Sequence, residues 1–288
     1  MENNFDVIII GGGPGGVSAA LYAARGGLSV AIVHNGASAL HKAEKIENYY
    51  GSGALDGAEL YERGLQQAES VGVNIIADQA TFAEYDGSGF TVTTVGGVYT
   101  SRRLVIATGA SRLRANIDGI DKFEGKGVSY CAVCDAFFYR KKRVGVLGAG
   151  EFAKHEYEAV ARVAAEATLF TQGVPAVFVP DKLETRKIAR IYGDERLGGA
   201  ELEDGTRIPL DGLFIAVGVM SGSSLCKSMG VITEKNGAIK TDARGMTNIN
   251  GLYAVGDCTV GIKQVGKAVS DGVTVGMSLL SDLKKTET

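Results

Sequence analysis

The sequence predicts an α/β fold with two nucleotide-binding-type domains. Two apolar, strand-like runs, residues 5–10 and 144–147, each lead into a glycine turn and then into a helical pattern. Two further apolar runs, within residues 104–110 and 250–259, end in Ala-Thr-Gly-Ala and in Gly-Asp-Cys-Thr. Strand, glycine turn and helix in this order are typical of nucleotide-binding α/β units, and two such units in one chain indicate two domains.

The first glycine turn has the G-x-G-x-x-G spacing, with Gly11, Gly13 and Gly16 directly after a strand and before a helix that runs to about Ala24. Glycines at these positions permit a tight turn, a close approach of backbone N–H groups to a pyrophosphate, and close packing of helix on strand. The strand "LSVAIV" follows. It leads into His34-Asn35 rather than the acidic residue that commonly binds ribose hydroxyls. We expect His34 to be a surface or ribose-adjacent polar residue without a catalytic role.

The composition is that of a globular enzyme-sized protein. The chain has 288 residues, of which 45% are apolar and 22% charged, and it can bury a sizeable core. Its 41 glycines without any low-complexity run indicate tight turns rather than disorder. A formal charge of -3 gives no reason to expect nucleic acid or an anionic membrane as a partner. We predict a cytoplasmic protein, because no basic n-region precedes the first strand and no apolar run approaches about 18 residues.

The four cysteines fall into a pair and two single residues. Cys131 and Cys134 form Cys-Ala-Val-Cys, whereas Cys226 and Cys258 stand alone. In a reducing compartment a Cys-x-x-Cys is either a redox pair or half of a zinc site, and a zinc site would need a second close pair. The sequence therefore favours a redox pair, no bound metal, and two buried cysteines that act as small apolar residues.

Five segments together resemble the flavoprotein disulfide reductases with two dinucleotide-binding domains. They are "LVIATGA", "NGLYAVGDCT", "KIENYYG", "KQVGKAVSDG" and, typical of low-molecular-weight thioredoxin reductase, "YCAVCDAFFY". The resemblance extends from residue 5 to about residue 280. It implies a flavoprotein with a discontinuous FAD-binding domain, residues 1–115 and 222–288, and an inserted smaller Rossmann-like domain, residues 116–221, that carries the cysteine pair.

The same resemblance implies roles for individual residues. In the redox segment Cys134 would face the flavin, Cys131 would exchange with the substrate disulfide, and Asp135 would supply or take the proton. A neighbouring carboxyl group suits this exchange, which needs a thiolate attacker and a protonated leaving group. The residues that the resemblance assigns to FAD binding are Gly11, Gly13, Pro14, Gly16, Asn48, Gly109, Asp257, Gln264 and Val265.

The second glycine turn keeps the glycine spacing, with Gly148, Gly150 and Ala153, but the residues that a pyridine nucleotide needs are absent. Glu151 and Phe152 stand where the helix would meet a pyrophosphate, and a carboxylate there repels phosphate. Residues 171–176, Thr-Gln-Gly-Val-Pro-Ala, contain no cation for a 2′-phosphate, and the next one is Lys182. In this deficit, in its length and in Cys-Ala-Val-Cys-Asp, the chain resembles the ferredoxin-dependent flavin thioredoxin reductases. That resemblance implies ferredoxin and thioredoxin as partners and a homodimer.

Three other functions fit the same residues. A dithiol oxidase would pass electrons from FAD to O2, a redox sensor would hold FAD without turnover, and an NADPH-dependent thioredoxin reductase would use an unusual nucleotide site. Three basic stretches, residues 111–114, 139–143 and 182–190, could attract an acidic protein, although charge runs are usually solvated faces.

Overall fold

The computed structural model describes residues 3–109, 117–130, 132–217, 222–226 and 229–284. The chain divides into two compact units, one formed by Met1–Ser111 with Ser221–Thr288 and the other by Arg112–Met220. The first unit is therefore assembled from both ends of the chain, whereas the second is one continuous segment.

The described residues form the following elements. The strands are, in chain order, β1 (Asn4–Ile10), β2 (Val30–His34), β3 (Asn74–Ala77), β4 (Ala80–Tyr85), β5 (Phe90–Thr94), β6 (Val98–Ile106), β7 (Val128–Ser129), β8 (Arg143–Leu147), β9 (Glu166–Phe170), β10 (Leu183–Glu184), β11 (Ile188–Gly193), β12 (Leu197–Leu202), β13 (Arg207–Pro209), β14 (Gly212–Ile215) and β15 (Leu252–Ala254). The helices are α1 (Pro14–Arg25), α2 (Gly57–Ser70), α3 (Ile120–Phe123), α4 (Ala132–Asp135), α5 (Glu151–Ala161), α6 (Gly222–Leu225) and α7 (Val265–Lys284).

The sheet of the first unit has the strand order β3-β2-β1-β6-β5-β4, and β15 pairs with β6. β1 is parallel to both neighbours, with Ile10 opposite Val33 and Ile106. β6 pairs with two different strands along its other edge. Its first half is antiparallel to β5, and its last residues are parallel to β15. The parallel strands β1, β2, β6 and β15 consequently end at one edge, which is where ligands bind in open α/β sheets.

The core of the first unit lies between this sheet and its helices. β1 is a nearly continuous run of β-branched residues, and Val7, Ile8 and Ile9 are fully buried, as expected for a parallel strand covered on both faces. α1 packs on α7, and a Cβ at Gly272 would lie 2.3 Å from the backbone oxygen of Gly15. The two helices therefore meet at backbone distance, which only glycine allows. No helix in the described ranges is both long and apolar enough to cross a bilayer.

The second unit contains a parallel sheet in the order β10-β9-β8-β14-β7 and a separate antiparallel sheet, β11-β12-β13. α5 follows β8 through the second glycine turn. One apolar cluster joins the two sheets, with Leu147, Phe170 and Leu213 from the parallel sheet beside Ile191 and Leu197 from the antiparallel one. This packing fixes the strand ends from which the redox segment and the second turn emerge.

Candidate active site

The glycine turn after β1 forms an open cradle at the N-terminus of α1. Gly11 has φ +120°, and a Cβ there would lie 2.2 Å from the backbone oxygen of Ala107 at the end of β6. A Cβ at Gly13 would meet no described atom within 4 Å. Gly13 is the N-cap of α1 and Pro14 begins the helix, so no side chain competes for the amides of the first turn. This combination of open space and helix N–H groups fits the pyrophosphate of a dinucleotide.

His34 ends β2 beside this cradle and is held in one tautomer. Its Nδ1 accepts a hydrogen bond from the Gly36 N–H at 3.2 Å and lies 2.9 Å from the Tyr61 hydroxyl. Burial lowers the pKa of His34 below its usual 6.5. The ring is therefore neutral at pH 7 with its proton on Nε2, which leaves Nε2–H as a donor next to the turn. His34 was expected at the surface or next to a ribose, whereas its partner Tyr61, on α2, carries no signal in the sequence that predicts it.

The residues assigned to the flavin side come from distant parts of the chain. Asn48 donates from Nδ2 to Oε1 of Gln264 at 3.0 Å, across 216 residues of sequence. Gln264 immediately precedes α7, which begins at Val265. Gly109 has φ +72°, a conformation that favours glycine. The structure thus brings Asn48, Gln264 and Val265 together at one end of α7.

Asp257 lies in the short 3-10 turn that follows β15, and this turn is tied to α7. The Gly256 N–H donates to Asp271 Oδ2 at 3.0 Å, and Lys263 Nζ lies 2.5 Å from the Asp257 carbonyl oxygen. Lys267 Nζ in turn lies 2.5 Å from Asp271 Oδ2. Asp271 and the two lysines were not predicted from the sequence, since single polar residues in or next to a helix carry no pattern that marks them as partners of a turn.

The redox segment belongs to the second unit. Cys131 lies outside the described residues, and of Cys134 only the backbone, within α4, is described. Asp135 ends α4, and its Oδ2 accepts a hydrogen bond from the Ser129 hydroxyl at 2.7 Å. Phe137 and Phe138 follow with highly exposed side chains. The segment therefore presents a carboxylate and an apolar surface immediately after the second cysteine.

A buried carboxylate that the sequence analysis did not single out holds the same segment. Glu156 on α5 accepts a hydrogen bond at Oε2 from the Ala132 N–H, with the two atoms 2.5 Å apart. Ala132 is the residue between Cys131 and Val133. The helical pattern of α5 could have indicated this residue, because Glu156 falls on the same face as the buried Phe152 and Ala153.

The second glycine turn keeps its tight geometry, and a Cβ at Gly150 would meet no described atom within 4 Å, as at Gly13. Gly148 has φ +152°, and a Cβ there would lie 2.3 Å from the Ala216 backbone oxygen, so the tight turn is kept. Glu151 begins α5 and is exposed, whereas the Phe152 side chain is buried in the unit rather than directed at the turn's outer surface. The carbonyl oxygen of Ala149, inside the turn, accepts a hydrogen bond from the Val177 N–H at 3.0 Å.

Residues 174–181 are fixed in this position by Tyr157 of α5. The Phe178 ring lies 5.4 Å from the Tyr157 ring, centroid to centroid. The Tyr157 hydroxyl donates to the Ala167 carbonyl oxygen at 3.2 Å and accepts from the Asp181 N–H at 3.1 Å. The nearest following cation, Lys182, is already paired with Glu166 at 2.7 Å. Besides the predicted shortage of phosphate-binding groups, the structure therefore shows a segment bonded to the turn and to α5 that the sequence did not indicate.

The basic stretches at residues 139–143 and 182–190 differ in how many of their cations form ion pairs. The third stretch, residues 111–114, lies outside the described residues. In residues 182–190, Arg186 pairs with Glu184 and Asp204, and Arg190 pairs with Glu201. In residues 139–143, by contrast, the exposed side chains at 140–142 make no ion pair with any described residue.

Cys226 and Cys258 are both buried and carry free thiols, as predicted. Burial raises the pKa of Cys258 to about 11 and raises that of Cys226 further. Cys258 also lies 3.3 Å from the Ile106 carbonyl oxygen and 3.2 Å from that of Val255, within sulfur hydrogen-bonding distance. Neither residue is a reactive thiol at neutral pH.

Comparison with known proteins agrees with this geometry. Residues 5–272 match the family model described as pyridine nucleotide-disulphide oxidoreductase. The chain belongs to this family. A thioredoxin reductase of Listeria monocytogenes is 31% identical over 306 residues, covering 96% of this chain and 93% of that protein. A Treponema pallidum thioredoxin reductase is 32% identical, with 94% and 95% covered.

Solved structures of related oxidoreductases have the same fold. The atypical thioredoxin reductase TRi from Desulfovibrio vulgaris Hildenborough has a TM-score of 0.87 at 36% identity, with 97% of this chain and 98% of that chain covered. A ferredoxin-flavin thioredoxin reductase from Clostridium acetobutylicum has a TM-score of 0.85 at 28% identity, with 99% and 100% covered. The α/β fold class and FAD as the cofactor of this oxidoreductase are confirmed.

Proposed function

We propose that this oxidoreductase is a ferredoxin-dependent thioredoxin reductase, in which electrons pass from reduced ferredoxin through FAD and a Cys131–Cys134 disulfide to thioredoxin. The observation that carries the choice of donor is the chemistry of the second turn, where the acidic Glu151 begins α5 and residues 171–176 offer no cation to a phosphate. Residues 1–115 with 222–288 serve as the FAD-binding domain, and residues 116–221 as the redox domain. We also expect a cytoplasmic homodimer.

The residues of the first unit hold the cofactor. The N–H groups of the turn Gly11–Gly16 would bind the pyrophosphate, and Asp257 would lie at the ribityl chain. Gln264 and the Val265 backbone would hold the isoalloxazine edge, with Asn48 on the flavin side and Gly109 as a further FAD-binding residue. Bound FAD would accept electrons one at a time from the donor and would pass two electrons to the disulfide. The hydrogen bond between Asn48 and Gln264 fixes both amide groups before the cofactor arrives.

The redox segment performs the thiol chemistry. Two electrons and two protons convert the Cys131–Cys134 disulfide to a dithiol. The Cys131 thiolate attacks the thioredoxin disulfide to form a mixed disulfide, and Cys134 then attacks Cys131 to release reduced thioredoxin and restore the internal disulfide. Asp135 supplies or takes the proton, and its hydrogen bond from Ser129 orients the carboxylate for that transfer.

The electron donor is tested by anaerobic stopped-flow mixing of the FAD-loaded protein with reduced ferredoxin, NADPH or NADH. Ferredoxin should bleach the flavin absorbance quickly, whereas either nucleotide at millimolar concentration should do so slowly or not at all. Two lost phosphate contacts, each of about 1.5–3 kcal/mol, are enough to remove useful affinity. Faster bleaching by NADPH, with matching thioredoxin turnover, would overturn the proposal and favour the pyridine-nucleotide chemistry that the family name describes.

A matched pair of variants tests where the donor docks. We expect the Arg140→Gln/Lys142→Gln variant to reduce the rate of flavin bleaching by ferredoxin and to weaken its salt dependence, because the exposed cations at residues 139–143 attract an acidic protein. Lys187→Gln, in the stretch whose arginines are already paired, is the control and should leave the rate unchanged. Rapid O2 consumption with small dithiols but no thioredoxin turnover would identify a dithiol oxidase instead.

A further inference from the structure

The turn that carries Asp257, residues 256–259, is held by hydrogen bonds to its backbone carbonyl groups. The Gly256 oxygen accepts from the Thr259 hydroxyl at 2.7 Å. Lys263 Nζ donates to two further carbonyl oxygens, that of Asp257 at 2.5 Å and that of Thr259 at 2.8 Å. The backbone of the turn is therefore fixed on both sides of the Asp257 side chain.

Lys267 connects this turn to α7. Its Nζ lies 2.9 Å from Thr259 Oγ1 and 2.5 Å from Asp271 Oδ2. The same Asp271 oxygen accepts a hydrogen bond from the Gly256 N–H at 3.0 Å. One ammonium group thus contacts the last residue of the turn and the carboxylate that holds its first residue. The Lys267 side chain is only 22% exposed, so water competes little for these contacts.

The stability of α7 does not account for a lysine at this position. α7 begins at Val265, so Lys267 lies in its first turn, where the partial positive charge of the helix N-terminus disfavours a cation. Its ion pair with Asp271 also has the less favourable order, because an acid placed four residues before the base stabilises a helix more than the reverse. We therefore relate Lys267 to the turn that it contacts rather than to the helix that carries it.

The Asp257 carboxylate is the polar group that these contacts leave open. The residue is partly buried, and its carboxylate oxygens accept no hydrogen bond and form no ion pair with any residue in the described ranges. A carboxylate without a protein donor can accept from hydroxyl groups of a ligand, and such charge-assisted hydrogen bonds are strong. The ribityl chain of FAD supplies hydroxyl groups of this kind.

We propose that Lys267 is a positioning residue for FAD, because it holds the turn 256–259 in the shape that presents the Asp257 carboxylate to the ribityl hydroxyl groups. The inference rests on the proposed role of Asp257. Lys267 acts through the turn and needs no contact with the cofactor itself. A turn that is ordered before FAD arrives loses less conformational freedom on binding, and affinity increases accordingly.

The effect should be confined to the flavin half of the cofactor. The hydrogen bonds and the ion pair of Lys267 reach residues 259, 260 and 271, and none of them reaches the glycine turn at residues 11–16. The adenosine and pyrophosphate half, which that glycine turn would bind, should therefore not depend on Lys267.

The test compares the binding of FAD and of ADP to the apoprotein by isothermal titration calorimetry, since ADP lacks the ribityl chain. We expect Lys267→Met to raise the Kd for FAD roughly tenfold or more, as for the loss of one charge-assisted hydrogen bond, and to leave the Kd for ADP within about twofold of the wild type. Lys267→Arg keeps a cation with several donors and should restore most of the affinity for FAD. Arg63→Met is the matched control, because it removes an exposed ion pair of the same spacing from α2, and it should change neither constant.

A double-mutant cycle shows whether Lys267 acts through Asp257. In the Asp257→Ala background, Lys267→Met should cost little further affinity for FAD, because the group that it positions is already absent. A lysine that only stabilised the fold would weaken binding by the same factor in both backgrounds. The cycle therefore separates positioning from general stability.

Three results would overturn the inference: equal factors in the two backgrounds, equal losses for FAD and ADP, or an unchanged Kd for FAD in Lys267→Met. If Lys267→Met loses its far-UV circular dichroism spectrum, Lys267→Gln is measured by the same criteria. An Asp257→Ala variant that binds FAD as tightly as the wild type would contradict the proposed role of Asp257 itself. No electron donor is added in these titrations, so a failure of the ferredoxin proposal leaves them intact.

Discussion

At the level of single residues, His34 should make the stability of the protein depend on pH. Its Nδ1 accepts from the Gly36 N–H, so protonation would place two hydrogens against each other. Because burial lowers its native pKa below 6.5, the unfolded chain binds more protons once the pH falls through 6.5. The free energy of unfolding should therefore be highest above about pH 6.5 and decrease from there down to the lowered native pKa.

The check is urea denaturation of the apoprotein between pH 5 and pH 8, on the wild type and on His34→Asn. The Asn Oδ1 can accept from Gly36 but does not titrate. We expect the difference in unfolding free energy between the two proteins to favour the variant progressively as the pH falls. Parallel curves would show that His34 is not the group responsible.

The two cysteines of the redox pair should respond differently to substitution. Cys134→Ser removes the thiol proposed to face the flavin, whereas Cys131→Ser leaves that thiol in place. We therefore expect a long-wavelength charge-transfer band at alkaline pH in Cys131→Ser only, recorded by absorbance titration of the FAD-loaded variants. The band in Cys134→Ser alone would reverse the assignment.

At the level of elements, the contact between α1 and α7 should tolerate no side chain at Gly272. A Cβ there would lie 2.3 Å from the Gly15 oxygen and 2.6 Å from Ser18 Cβ, so Gly272→Ala must separate the helices. We expect a loss of about 1–3 kcal/mol in the free energy of unfolding, measured by urea denaturation, and weaker FAD retention. Gly64→Ala in α2 is the control, because its Cβ would meet Val17 at an ordinary 3.6 Å.

Gly64→Ala should increase the free energy of unfolding, whereas Gly272→Ala should decrease it. Alanine in a helix interior is favoured over glycine by roughly 0.5–1 kcal/mol, and Gly64 has a normal helical conformation with space for a methyl group. Equal losses in the two variants would mean that the close approach of α1 and α7 is not what limits Gly272.

The strands and glycine turns were accessible from the sequence because each carries a local signal. The runs at residues 5–10 and 144–147 became β1 and β8 with ends within one residue, and the predicted helix to Ala24 ends at Arg25. The long-range features lacked such a signal. The hydrogen bond from Val177 to Ala149 joins residues 28 positions apart through backbone atoms, which no side-chain pattern reports.

Some residues of the candidate site likewise carry a local signal in the sequence, and others do not. Glycine spacing and the Cys-x-x-Cys pair are visible in a single sequence, and so is the missing acid at His34. Tyr61 and Glu156 lie on helices whose buried faces have ordinary amphipathic patterns. Only the fold shows that Tyr61 contacts His34 and that Glu156 contacts the Ala132 N–H.

At the level of the whole molecule, the two units should differ in whether they fold as fragments. Arg112–Met220 is continuous and has its own apolar cluster, so we expect it to give a cooperative thermal transition when expressed alone. Residues 1–111 lack both β15, which pairs with β6, and α7, which covers α1. We expect this fragment to aggregate alone and to gain a folded circular dichroism spectrum and FAD binding when residues 221–288 are added in trans. A folded, soluble 1–111 fragment would contradict this expectation.

The dependence of α1 on α7 also sets the order of events on the ribosome. β1 and the glycine turn leave the exit tunnel before the other described elements, whereas α7, which packs on α1, is the last of those elements to leave it. At roughly 5–20 residues per second, the most apolar strand of the protein waits on the order of tens of seconds for its partner. The inserted unit, by contrast, is complete before synthesis ends. During this time the inserted unit can already be folded, while the apolar segment that precedes it still lacks its partner helix. The N-terminal segment is therefore expected to bind chaperones during translation.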